Sequence, residues 1–174
     1  VDLDGTLVRG DSMVYCARLL VWRRPWYLVG MAVWHWRGRA ALKHVIVRRV
    51  TPDPAGLTYE HELIAWLKAE QTRGRKLVLA SGSDRRIVAA IARYLGLFDD
   101  FFASDGRTNL TGSRKVAVLE AHFGAFDYVG DSWTDLAVWR RARLCYLVAR
   151  RRRLATRLGR EVRFARIFDA TRNI

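Results

Sequence analysis

Acidic residues are absent from one long stretch of this chain. Between Ser12 and Pro52 there is no Asp or Glu, while Arg18, Arg23, Arg24, Arg37, Arg39, Lys43, Arg48 and Arg49 all fall inside it. Nothing there would pair with an ammonium group. The chain as a whole carries +14, which directs it toward polyanions: nucleic acid, anionic lipid or a phosphorylated substrate. Cysteine is also scarce. Cys16 and Cys145 have no paired spacing, which excludes a disulfide framework and a zinc site and suits two reduced thiols in a cytosolic protein. Long apolar runs are lacking too. The best candidate, Pro25 to Trp36, has about a dozen residues where a bilayer span needs roughly 20. No internal repeat occurs, and no nucleic-acid fold motif accompanies the basic charge, so nucleic acid is an unlikely partner. The first residue is Val1, inside an expected strand, so the natural start is expected further upstream.

Apolar residues, by contrast, make up 51% of the chain, enough to bury a core. Val1-Asp2-Leu3 reads as the end of a buried strand. Ser12 to Thr58 is mostly helical in pattern, interrupted at Pro25, Gly38 and Thr51 to Pro54. Glu60 to Arg73 reads as a helix stopped by Gly74. Lys76 to Ala80 is a short apolar run and a strand. A helix from Asp84 to Leu95 ends at Gly96. Phe101 to Ala103 is a strand, Ser113 to Phe123 a helix and Phe126 to Gly130 a strand. Asp135 to Arg141 is a helix and Leu144 to Val148 the last strand. This alternation predicts an α/β fold with a parallel sheet covered on both faces.

Three groups stand at the carboxyl ends of these strands, the edge where open α/β sheets bind ligands. They are Asp2 with Asp4, Ser81-Gly82, and Asp131 with Asp135. Lys115 stands near a helix start between the last two. Side chains alternate along a strand, so Asp2 and Asp4 share one side if the chain stays extended. A carboxylate attacks phosphorus to form an acyl phosphate. A second carboxyl protonates the leaving oxygen and then activates water. Two anions facing a phosphate call for a cation, and Asp131 offers a hard oxygen ligand for Mg2+. Lys115 offsets the remaining charge. The Ser81 hydroxyl and Gly82 amide donate to phosphate oxygens.

Asp2-Leu3-Asp4-Gly5-Thr6-Leu7, Ser81, Lys115 and Gly130-Asp131-Ser132-x-x-Asp135 together resemble the four motifs of the haloacid dehalogenase-like superfamily. The resemblance implies a Rossmann-like three-layer core and an Mg2+-dependent phosphatase with an aspartyl-phosphate intermediate. It implies that Asp2 is nucleophile and metal ligand. Asp4 is implied as general acid/base, its carbonyl touching the metal. Ser81, Gly82 and Thr6 would bind substrate, Lys115 would steady the intermediate, and Asp131 and Asp135 would serve the metal. It also implies that residues 1–10 and 75–174 form the core and 11–74 a helical cap.

The expected cap holds Trp22, Trp26, Trp34 and Trp36 among its arginines. The stretch after Arg140 is basic as well, with an arginine run from Arg150 to Arg153. Tryptophan and arginine together suit a membrane interface, and basic clusters attract anionic lipid. His35 and His44 lack metal spacing and read as polar cap residues. Arg24-Pro25-Trp26, Gly38 to Lys43, Ser104-Asp105-Gly106-x-Thr108-Asn109-Leu110-x-Gly112 and Tyr128 to Leu136 resemble the phosphatase domain fused to UbiA-type prenyltransferases. That resemblance implies a lipid-linked, polyprenyl phosphate and a prenyltransferase in the same chain or complex. It suits a cytoplasmic enzyme peripheral at the inner membrane face. The alternatives are a phosphatase for a small soluble monoester such as phosphoserine, or a docking module that has lost turnover.

Overall fold

The structure is a computed structural model that describes residues 1–23, 26, 50, 53–105 and 108–170. The remainder of the expected cap, with Trp34, Trp36, His35 and His44, lies outside the described residues. So does Gly106.

The helices are α1 (Ser12–Arg23), α2 (His61–Thr72), α3 (Arg85–Leu95), α4 (Ser113–Phe123), α5 (Leu136–Trp139) and α6 (Arg152–Leu158). The strands are β1 (Val78–Asp84), β2 (Asp100–Ser104), β3 (Tyr128–Gly130), β4 (Cys145–Ala149) and β5 (Phe164–Asp169). The pairs β1–β2, β3–β4 and β4–β5 are all parallel. Val1 and Asp2 join the two groups. The Val1 amine donates to Val78 O at 2.8 Å, Ala80 N donates to Val1 O at 2.8 Å, and Asp2 N donates to Val129 O at 2.9 Å. The spatial order is therefore β2, β1, Val1–Asp2, β3, β4, β5. The chain runs outward one way through β1 and β2, then returns to the other side at β3. Asp2 and β3 flank that reversal, where α/β sheets open a crevice for ligands.

Side-chain alternation assigns the strands to two apolar layers. Tyr146 and Val148 of β4 face the cluster containing Leu3, Leu79, Ile87 and Ile91. Cys145, Leu147 and Ala149 face the cluster containing Val116, Leu119, Trp139 and Leu158. β4 is buried at every position, as an apolar run in a parallel sheet should be. α3 follows its sequence signals closely. The Asp84 side chain accepts from Arg86 N, and Gly96 closes the helix at φ +60°.

Two regions add detail that the sequence does not carry. Leu63 and Leu67 of α2 are buried in the same cluster as Val148 and Phe168, and Trp66 lies 4.7 Å from Tyr146 between ring centroids. Residues 61–72 thus pack in the layer that covers the sheet. α1 joins that cluster through Met13, Cys16 and Leu20. The chain after Val148, basic in sequence and inside the expected core of 75–174, carries two elements that its pattern does not show. It forms α6 and β5, an edge strand with Phe168 buried and Arg166 lying 4.6 Å over its ring.

An ion cluster at the amino ends of the strands ties the layers together. Arg75 donates to Glu70 Oε2 at 2.8 Å and also to Asp127, which accepts a second bond from Arg143 Nε at 3.0 Å. The bond from Arg75 holds the Glu70 carboxyl below its usual value. Burial opposes ionisation of Asp127, yet the bonds from Arg143 and Arg75 prevail and hold it low as well. Depressed carboxylates stabilise fully above their unfolded pKa and lose that contribution as pH falls through the folded one. Arg75→Met should therefore cost about 2 kcal/mol near pH 7, the scale of a charged hydrogen bond. The gap from wild type in urea unfolding should shrink toward about pH 3. A gap independent of pH would show that Arg75 acts only through its apolar stem.

Candidate active site

The chain leaves the sheet sharply after Asp2. The N–H groups of Thr6, Leu7 and Val8 converge on Leu3 O at 3.3, 2.9 and 3.0 Å. Extension does not persist through Asp4, so the expected shared strand face is replaced by a turn. Gly5 makes that turn possible. Its φ is +78°, and a Cβ there would lie 2.6 Å from Asp131 Cγ. The turn delivers the Asp4 carboxylate to two donors. Ser12 N, at the start of α1, donates to Oδ1 at 2.7 Å, and Ser83 Oγ donates to Oδ2.

Asp2 takes a separate set of partners. Lys115 Nζ donates to its Oδ1 at 2.8 Å and to Tyr128 Oη at 2.8 Å. Tyr128 Oη donates in turn to Asp135 Oδ1 at 2.7 Å. Lys115 also lies 3.7 Å from Asp135 Oδ1. Lys115, Tyr128 and Asp135 are all buried, so each depends on the others for its polar contacts. The other Asp135 oxygen accepts from Asp131 N at 3.2 Å and Ser132 N at 3.3 Å. Gly130 leaves room for this, since a Cβ there would meet Asp135 Cγ at 2.8 Å.

Charge concentrates where these residues meet. Burial, reinforced by Asp135 and Asp4 and opposed by Lys115, pushes Asp2 up to about 6. Burial, with Asp135 and Asp2, pushes Asp131 up to about 7. Burial alone would lower Lys115, but the carboxylates of Asp2 and Asp135 outweigh it and hold the ammonium firmly charged. Two buried carboxylates held above their usual range beside a third and a charged lysine are an arrangement that functional sites favour.

Ser81 is buried on β1, and its Oγ accepts from Ser83 N at 3.0 Å, leaving its own proton free to donate. Gly82 is packed under Thr111, whose methyl would lie 2.6 Å from an added Cβ. Ser104 Oγ fixes the Gly82 carbonyl at 2.8 Å. Thr6, expected at the substrate, is fully buried, and its hydroxyl donates to Asp131 Oδ1 at 3.4 Å. Its contact is with a carboxylate, so it orients that group.

Asp2, Asp131 and Asp135 offer carboxylate oxygens that all lie within 4.8 Å of one another. Lys115 takes one oxygen of Asp2 and Thr6 takes one of Asp131, leaving each a second oxygen for a cation. Both Asp135 oxygens already accept hydrogen bonds. The donor set is all hard oxygen and fits a hard divalent cation, which Asp2 and Asp131 could hold directly with Asp135 bracing them.

Sequence reasoning missed Tyr128, Ser12 and Ser83. A buried tyrosine needs a partner for its hydroxyl, and Tyr128 stands three residues before Asp131 at a strand start. Ser81-x-Ser83 carried the strand period of two, which could have suggested a paired role.

Fold and site together define an α/β protein with a carboxylate-rich, lysine-backed crevice. The chain belongs to the haloacid dehalogenase-like hydrolase family, which it matches over residues 31–140, more than half its length. It is 32% identical over 148 residues to the uncharacterised protein y4nM of Sinorhizobium fredii (strain NBRC 101917 / NGR234). That similarity covers 84% of the chain, which spans only 29% of the relative's length. The fold is similar to that of a protein of unknown function from Bordetella pertussis Tohama I, with a TM-score of 0.75 and 14% identity over 97% of this chain and 96% of that one. It is also similar to a substrate-bound phosphoserine phosphatase, with a TM-score of 0.62 and 18% identity over 97% and 90%.

Proposed function

We propose that the protein is an Mg2+-dependent phosphomonoester hydrolase that forms an aspartyl phosphate on Asp2. The observation that carries this reading is the Asp2–Lys115 pair, at 2.8 Å, beside Asp131 at the sheet's reversal point. In the first half-reaction an Asp2 oxygen attacks phosphorus, the ester P–O bond breaks, and Asp4 gives its proton to the departing alkoxide. In the second, Asp4 takes a proton from water as the water attacks phosphorus and releases Asp2. A bound Mg2+ would neutralise phosphoryl charge between Asp2, Asp131 and the Asp4 carbonyl. Lys115 holds Asp2 in place and balances its charge. Ser81 and the Gly82 amide orient the phosphoryl oxygens. The intact set of Asp2, Asp4, Lys115 and Asp131 speaks against a docking module without turnover.

The substrate is proposed to be amphiphilic, a lipid-linked phosphate such as a polyprenyl monoester. Trp22 is 83% and Trp26 65% exposed, and Val14, Arg18 and Trp22 form an exposed stripe along α1. A cavity of about 990 Å³ follows this helix from Asp11, next to the Ser12 amide that holds Asp4, out to Trp22. An apolar tail lying there would have one end toward Asp11, beside the Ser12 amide that holds Asp4. Among the described residues no helix is long and apolar enough to cross a membrane; the proposed contact with a membrane surface is through Trp22, Trp26 and the basic surface. A UbiA-type prenyltransferase in the same chain or complex is the proposed supplier or consumer of such a lipid. The likeness to phosphoserine phosphatase supports a small soluble monoester as the second reading.

A paired assay separates the two. The account predicts Mg2+-dependent turnover of a short prenyl monophosphate with a lower KM than phosphoserine, and binding to anionic vesicles that weakens with salt. A preference for phosphoserine, or equal binding to neutral and anionic vesicles, would refute the amphiphilic substrate.

A further inference from the structure

The loop from Gly5 to Gly10 carries the chain from the Asp4 turn into α1, and residues 58–60 bring it back to α2. These two segments are zipped together. Val8 pairs antiparallel with Tyr59, Arg9 N donates to Thr58 O at 2.7 Å, and Glu60 N donates to Leu7 O at 3.0 Å. Nothing in these bonds attaches the zipped pair to the far half of the sheet. Arg150, the residue after β4, does so. Its Nε donates to Gly5 O at 2.7 Å, its Nη2 donates to Val8 O at 3.2 Å, and the same Nη2 lies 3.2 Å from Glu60 Oε1. Glu60 is buried, and Arg9 Nε meets the same oxygen at 3.1 Å.

From this geometry we infer that Arg150 is a positioning residue for the reaction: it clamps the Gly5–Gly10 loop and thereby holds Asp4 in register with Asp2. The inference rests on the roles proposed above for Asp2 and Asp4. It departs from the sequence reading, in which Arg150 opened a lipid-attracting run. The clamp needs arginine's planar fork. One guanidinium must reach two carbonyls and a carboxylate at fixed angles, which a lysine ammonium does not reproduce. Gly5 has no side chain to anchor it and packs directly against Asp131, so its peptide is placed by backbone bonds, the one from Arg150 among them. The positive charge of Arg150 also opposes the upward push on Asp131, in keeping with its place beside the crevice. Misplacing a reacting group by about 1 Å costs on the order of 10²-fold, so a loosened loop should appear in turnover before it appears in binding.

The test compares wild type, Arg150→Gln and Arg150→Lys in three measurements: aryl phosphate kinetics, melting temperature and amide hydrogen exchange. In Arg150→Gln, amides of residues 5–10 should exchange at least about tenfold faster, the loss of one charged hydrogen bond. Its kcat should fall about 10–100-fold with KM changed less than about threefold, the range seen when the support of a reacting group is removed. Arg150→Lys should recover only part of both effects. Wild-type exchange at residues 5–10 overturns the clamp, and faster exchange with wild-type kcat overturns the positioning role. A fall in kcat confined to temperatures near the melting point would be merely structural and also overturns it. If wild type hydrolyses no phosphate at all, the phosphatase reading fails, while the exchange data still decide the clamp.

Discussion

Asp2→Asn should abolish hydrolysis of any phosphate monoester, a loss on the order of 10⁴–10⁶ as for nucleophile deletions elsewhere. The carboxamide keeps the shape of Asp2 but has neither a nucleophilic anion nor a strong cation ligand. Its fold should survive. Lys115 could still donate to the asparagine oxygen and would keep Tyr128 and the nearby Asp135. The substitution also removes a buried charge that burial disfavours. The melting temperature in cation-free buffer should therefore not fall. Full activity in a folded Asp2→Asn would end the covalent mechanism, and an unfolded variant would show that Asp2 holds the sheet together.

Asp4→Asn should slow turnover by about 10²–10⁴-fold, the usual contribution of a general acid–base. Where it falls in that range should depend on the leaving group. An aryl oxide departs with little protonation, so a nitrophenyl phosphate should lie near the low end. An alkoxide needs the proton, so an alkyl or prenyl phosphate should lie near the high end. Asparagine can still accept from Ser12 N through its one oxygen, and its amide nitrogen would donate to Ser83 Oγ, so both contacts of Asp4 keep a counterpart. The effect would then be on chemistry and not on loop placement. Equal losses for aryl and alkyl substrates would remove Asp4 from leaving-group protonation and leave it only a role with water.

Asp4 also marks where the sequence stops being legible. Its motif and its neighbour Gly5 identify the turn, but strand alternation predicts a shared face with Asp2. The structure instead bends at Leu3, because three N–H groups find one carbonyl there. Strong local signals are legible, unlike weak ones. Ser113–Phe123 has the expected bounds, and β4 is an uninterrupted apolar run. In β5 only Phe168 is fully buried, and the arginines before and within α6 and β5 hide both elements behind their charge. Helix α2 carries an apolar stripe that shows it is buried but not against which layer. Long-range contacts were beyond reach altogether. Nothing local to Arg150 says that its side chain meets Gly5, 145 residues earlier. Tyr128 and Ser83 are similar, since each serves the site through a partner distant in sequence.

Trapping of the covalent intermediate tests the central claim most directly. Enzyme mixed with Mg2+ and a phosphate ester labelled at phosphorus would be quenched in acid, reduced with borohydride and mapped by mass spectrometry. The account predicts a base-labile phosphoryl group on the chain and reduction of one side chain, Asp2, to the alcohol. Label on any other residue, or turnover without label on the protein, would contradict it.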